Sequence, residues 1–373
     1  MGMRKGRWVG IAAGITVVAL LAMAWMRAPK TIGYEIIELT WLDGYSNLDD
    51  LHINDRGVVA GKLVKCRDGS DHLFVWDLDN GLKDLGKPDG MSPKDSIKIF
   101  DFNNKSQILA LNLSSNVYED PNTSFFGAYF YDPRMGFRKI DNPPGFRGFY
   151  CNKMNDRGQV VGTASRNLPG EQSPYWIFLW EPETGPRALN LSGMAVDINN
   201  SGHILGMDGD ALFLWSPEEG RRVFEEFPYG PVLHLQLSDS DEIFGIADSF
   251  DEYSKTYRIF RWNRSQGYQE FHTCEKEDEV DEFTVLAMND QRVLYYQMCT
   301  PFTWFGLFGH KDPEPEPRLY TVGEGLSFPR NLPLYAAYRS TYWHINHNGW
   351  IVGTMYDRTY VMIPKGKAEK KKE

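Results

Sequence analysis

Three features of this sequence predict an all-β fold built from repeated units. One turn is written four times in nearly the same words: INDRGVVAG at Ile53–Gly61, MNDRGQVVG at Met154–Gly162, INNSGHILG at Ile198–Gly206 and INHNGWIVG at Ile345–Gly353. Aromatic residues are abundant, with 11 Trp, 19 Tyr and 22 Phe, and many recur at alternate positions, which suits strands better than helices. Thirty-five Gly and 21 Pro supply the turn punctuation that short strands need.

Aligning the chain on this turn brings out seven copies, with landmark residues Asn54, Asn103, Asn155, Asn199, Ser238, Asn289 and Asn346. Their spacings run from 39 to 57 residues, the range of propellers and other arrays. Each copy opens with a short segment such as LHIN, KMND or DINN. Asn and Asp then make the turn, because their side chains bond their own backbone and tolerate left-handed φ. Gly follows three residues after the landmark at Gly57, Gly158, Gly202 and Gly349, where positive φ costs it least. An aliphatic strand completes a hairpin.

A loop of variable length leads to a third strand with rings two apart, as in Phe74/Trp76, Phe178/Trp180, Phe213/Trp215 and Phe260/Trp262. A second turn carrying Gly, DLDNG or EPETG for example, leads to a last short strand. Four antiparallel strands per unit make a propeller blade, which hides its two faces only by stacking beside its neighbours. The ends fit that reading. The seventh copy stops after its third strand, and an unassigned strand, Tyr34–Leu39, stands before the first copy. Pairing it with Thr359–Ile363 closes the ring and leaves neither edge bare. The expected fold is therefore an all-β, seven-bladed β-propeller spanning residues 31–364.

At these residues the chain resembles the HAF-type extracellular repeats of bacterial exported proteins, in the pattern iNdrGqvvG, then aflW, then G and dLg. Copies one, three and four carry the pattern best, and copy six, MNDQRVLYYQM, lacks both glycines. The resemblance implies an exported, propeller-like domain. It implies no reaction and no functional residue.

Residues 1–30 read as a cytoplasmic basic flank and a signal-anchor helix. The uncharged run Trp8–Met26 would span roughly 28 Å as a helix, close to a bilayer core. Arg4, Lys5 and Arg7 precede it against Arg27 and Lys30 after it, which puts the N-terminus in the cytoplasm and the propeller in the periplasm or outside the cell. A cleaved signal peptide is the alternative, with AMA at Ala22–Ala24 as the cleavage pattern. Residues 365–373 form a basic tail. With both basic ends set aside, the body is more acidic than the net charge of −10, which argues against a nucleic-acid partner.

No G-x-S-x-G, H-E-x-x-H, Walker or G-x-G-x-x-G pattern is present, so no catalytic residue and no cofactor is expected. His344 and His347 resemble a metal pair. However, the slot of His344 holds His52, Asp101, Lys153, Asp197, Gln236 and Ala287 in the other copies, which reads as a tolerant strand position. Asp77–Gly81 and Ser238–Glu242 lack the ligand spacing of a calcium loop, so no metal is expected.

Cys274 and Cys299 fall at one end of neighbouring blades and are expected to form a disulfide in an oxidising compartment. Cys66 and Cys151 belong to copies that are not neighbours, and Cys151 reads as a packed small hydrophobe. Between second and third strands the copies diverge, and there two insertions carry Phe125, Phe126, Phe302, Trp304, Phe305 and Phe308. Loops that vary on a repeating scaffold are common carriers of recognition. The expected function is a membrane-tethered binding or scaffold module for a protein partner. The alternative is an exported propeller enzyme, a hydrolase or lactonase acting on a saccharide or lactone, which would gather His, Asp, Glu or Arg at one mouth of its channel.

Overall fold

The computed structural model describes residues 30–40, 42–92, 95–113, 127–166, 175–224, 232–251, 254–274, 280–299, 316–330, 343–355 and 358–365. Every regular element among them is a β-strand. No helix among the described residues is long and apolar enough to cross a membrane, and Trp8–Met26 lie outside them.

Five antiparallel sheets have four strands each, joined in sequence order, and a sixth has eight. The five correspond to copies one to five; copies six and seven share the large sheet. The third shows the plan. Gly148–Met154 lies innermost, followed by Val160–Ser165, Tyr175–Glu181 and Gly185–Ser192. Its aromatic strand buries Phe178 and Trp180, and Phe178 lies over Gly162, its partner in register. A Cβ on Gly162 would stand 2.4 Å from the Phe178 ring and 2.4 Å from the Tyr150 carbonyl oxygen, so the second recurring glycine is required by packing.

The cores lie between sheets rather than within them. One cluster joins Leu109 and Phe130 of the second sheet to Cys151, Val160 and Phe178 of the third. Another joins Phe244, Ile246 and Ile259 of the fifth to Val293, Tyr295 and Tyr320 of the sixth copy. Each sheet thus buries its faces only against its neighbours. Cys151 is buried and its thiol free, as expected, and Cys66 is free and exposed. Cys274 and Cys299 end strands whose terminal side chains lie outside the described residues, as do the six loop aromatics.

The N-terminal strand Lys30–Leu39 pairs antiparallel with the last strand, in a register from Tyr34↔Pro364 to Leu39↔Thr359. That is the closure the sequence predicts. The same strand also does something its sequence does not announce. Lys30–Gly33 runs parallel to Ser327–Arg330, the outermost strand of copy six, and so fuses the last two units into the eight-stranded sheet.

Copy six is shorter rather than damaged. Its turn closes from Asn289 N to Arg292 O, whereas Asn54 N reaches Val58 O, one residue further. A turn with one residue fewer has no position that needs left-handed φ. In copies two and five the left-handed position is kept without glycine, at Ser106 (φ 59°) and Asp241 (φ 61°).

Candidate functional site

The landmark asparagines face the axis around which the sheets are arranged, and each does two jobs. Asn155 Oδ1 accepts the amides of Arg157 and Gln159, both at 3.0 Å, and so caps its own turn. Its Nδ2 donates to the carbonyl of Asn199 in the next sheet at 2.9 Å. Asn54, Asn103 and Asn199 reach Asn103, Asn155 and Ser238 in the same way, and Asn346 reaches back to Asn54. Asp could cap the turn but could not donate, which explains why the chain repeats Asn.

The residue after each landmark forms a second, outer belt. Asn104 Nδ2 donates to Asp55 and Asp156, and Asn200 Nδ2 to Asp156 and Asp239, at 3.0–3.2 Å. His347 bridges Asp55 through Nδ1 and Asp290 through Nε2. Acceptors and donors alternate around the mouth until Asp239 meets Asp290. Seven positions cannot alternate perfectly, and the mismatch falls between copies five and six. No hydrogen bond joins the Asp239 and Asp290 turns among the described residues. Ser238 has no amide to send across, and Asn289 donates to Ile345 at a longer 3.3 Å.

Deeper in the channel lies the slot two residues before each landmark. In most inner strands the register shifts just before it, between Ile99/Asp101, Cys151/Lys153 and Ala195/Asp197 for example, and such bulges re-aim side chains. The slot therefore brings together residues that its variability made look unconstrained. Lys153 Nζ stands 3.7 Å from Asp101. Asp101 also accepts the amide of Met154 at 2.8 Å, and Asp197 that of Leu237 at 2.7 Å, so each carboxylate staples one sheet to the next. Burial raises Asp197 to about 6, opposed by the Lys153 charge.

The rings of His52 and His344 pack with centroids 4.4 Å apart. Burial, with the Lys153 charge adding to it, holds His344 down at about 4 and keeps the ring neutral. His347 is the opposite case: hydrogen bonds to Asp290 and Asp55 raise it to about 10.

Apart from His52, these groups line a cavity of about 890 Å³ at the mouth of the channel. Its acids, Asp55, Asp156, Asp239, Glu242 and Asp290 among them, outnumber Lys153, Arg261 and His347. It opens at the turns joining first to second strands, the opposite end of the strands from the loops joining second to third. No grouping of His, Cys, Asp and Glu among the described residues could hold a metal ion. Sequence reasoning found the turns but missed the site. The available signal was a slot polar in six of seven copies at the same distance from each turn.

These features define an all-β, propeller-like protein with a polar cavity on its axis. No protein-family model and no curated protein matches the chain. Among solved structures it is similar to a streptogramin B lyase at 9% identity and a TM-score of 0.49, covering 89% of this chain and 98% of that one. It is similar to a catalytically inactive virginiamycin B lyase from Staphylococcus aureus at 11% identity and 0.49, covering 88% and 99%. A prolyl endopeptidase matches at 11% identity and 0.46, covering 86% of this chain and 55% of that one. Likenesses this distant carry no chemistry across.

Proposed function

We propose that the protein is a seven-bladed β-propeller held outside the cytoplasm by the Trp8–Met26 anchor, and that it acts as a binding module. The eight-stranded sheet counts as two blades joined by the N-terminal strand. The observation that carries the reading is the axial cavity, which is within the size range of small-ligand sites and gathers polar groups from every unit. Binding accounts for these groups better than catalysis does. Asp101 and Asp197, the acids deepest in the channel, already serve backbone amides and Lys153, which leaves neither free as a general base.

The enzyme reading keeps one observation in its favour. His344 is a neutral imidazole facing the cavity with no hydrogen-bond partner among the described residues. A protein partner on the opposite loop face, through Phe125, Phe126, Phe302, Trp304, Phe305 and Phe308, is a separate proposal on residues outside those described.

Native mass spectrometry of the full-length protein released from membranes tests the reading. A small-molecule adduct should be present and should be lost in a Lys153→Met/His344→Leu variant that keeps its melting temperature. Protein partners captured equally by both forms, with no adduct on either, would move the function to the loop face.

A further inference from the structure

The cavity is not symmetric about the axis. From most units it is lined only by the inner strand and its turn, but between units five and six it runs outward to Phe244, Arg261 and Val322. This is the joint at which the outer belt fails. Gln236, Phe244 and Arg261 are register partners across three neighbouring strands of the fifth sheet, so their side chains share one face. That face looks toward unit six, because Phe244 packs there in one cluster with Val293, Tyr320, Met288 and Val322.

The cleft has an apolar wall and two unmet polar demands. At its outer end Arg261 pairs with Glu242 at 3.3 Å, while its Nε–H is buried without a partner. At its axial end Asp239 and Asp290 face the gap in the belt, where only a donor could join them. Gln236, Phe244 and Arg261 run outward from the axis across three strands, so a small zwitterion can meet Arg261 at one end and the axial acids at the other through charge-assisted hydrogen bonds of about 2.8 Å.

Resting on the binding reading above, we infer that the cleft between units five and six takes an α-amino acid with an apolar side chain. Arg261 receives the carboxylate, and Asp290 with Asp239 receives the ammonium group as the donor that the belt lacks. Met288 and Val322 cover the side chain. A simple anion is disfavoured because Asp239, Glu242 and Asp290 outnumber Arg261, and a simple cation leaves the Arg261 donor unmet.

Isothermal titration of the full-length protein in detergent, with L-leucine as probe, tests this. Leucine should bind, and its methyl ester and N-acetyl-leucine should each bind at least tenfold more weakly. Arg261→Met should erase the distinction between leucine and its methyl ester, and Arg261→Lys should partly restore it. Asp290→Asn, which supplies an amide donor to Asp239, should erase the distinction between leucine and N-acetyl-leucine. If the methyl ester binds as well as leucine, the cleft is an amine site and the inference is overturned. If leucine fails to bind while the native mass-spectrometry adduct persists, the amino-acid class falls and the binding reading stands; if both are absent, both fall.

Discussion

The side-chain amide of Asn346 donates to the carbonyl oxygen of Asn54 at 2.8 Å, across 292 residues of sequence. This bond closes the inner belt where the last unit meets the first. Nearly every sheet-to-sheet joint carries the same bond, and the joint between units five and six lacks it. A turn motif that looks local is therefore a long-range device.

The double duty of the landmark residue can be tested by separating its halves. Asn155 is 4% exposed. Asn155→Asp keeps the turn acceptor and loses the donor to Asn199. If the residue served only its turn, Asp would be nearly neutral, since it caps such turns as well as Asn does. We expect instead a loss of about 3 kcal/mol, no milder than Asn155→Ala, because the variant buries a carboxylate against carbonyl oxygens. Urea denaturation of both variants checks this.

Much of this was legible in the residues. The period, the four strands per unit and the closure by Tyr34–Leu39 follow from pattern and from the need to cover edges. What escaped are relationships between units. Local turn chemistry accounts for Asn155 completely until its neighbour is seen. The variability of the His344 slot resembled tolerance because each unit contributes a different group to one shared channel. Repeats diverge where they build a site together, so a comparison that rewards similarity passes over it.

The N-terminal strand should prove a structural part of the domain. A chain beginning at Lys30 keeps both pairings, whereas one beginning at Thr40 bares the last strand and the outer strand of unit six. Loss of Tyr34 and Leu39, each 2% exposed, removes burial of order 5 kcal/mol. The melting temperature should fall by about 10 °C or more. A chain beginning at Tyr34, which loses only the parallel pairing to Ser327–Arg330, should fall in between. Equal melting of all three would refute the clasp.

Two of the recurring glycines, Gly162 at the end of its hairpin motif and Gly185 in the turn between third and fourth strands, should respond differently to alanine. At Gly185 a Cβ meets nothing within 4 Å, but φ is +74°, so Gly185→Ala should cost about 1 kcal/mol through backbone strain alone. At Gly162 the Cβ is blocked by both a ring and a carbonyl oxygen, and Gly162→Ala should cost about 3 kcal/mol through overpacking. Thermal melts of the two variants order the effects, and a milder loss at Gly162 would contradict the packing account.

His347 should make stability depend on pH above neutrality. Its two ring nitrogens face Asp55 and Asp290, and only the imidazolium has a proton for each. The folded state holds it at about 10 against an ordinary 6.5, so it binds a proton that the unfolded chain releases between those values. Stability from this group is complete below 6.5 and is lost as pH rises toward 10. For Asp55, burial pushes the carboxyl up, but the His347 hydrogen bonds outweigh it and hold the group at about 2, below its ordinary 3.8. Its contribution is present above 3.8 and is lost as pH falls toward 2. Urea midpoints measured from pH 7 to 9 should therefore decline in the native protein. The decline should flatten in His347→Gln, which keeps one hydrogen bond but does not titrate. Parallel curves for the two proteins would show that the ring does not hold its proton between these acids.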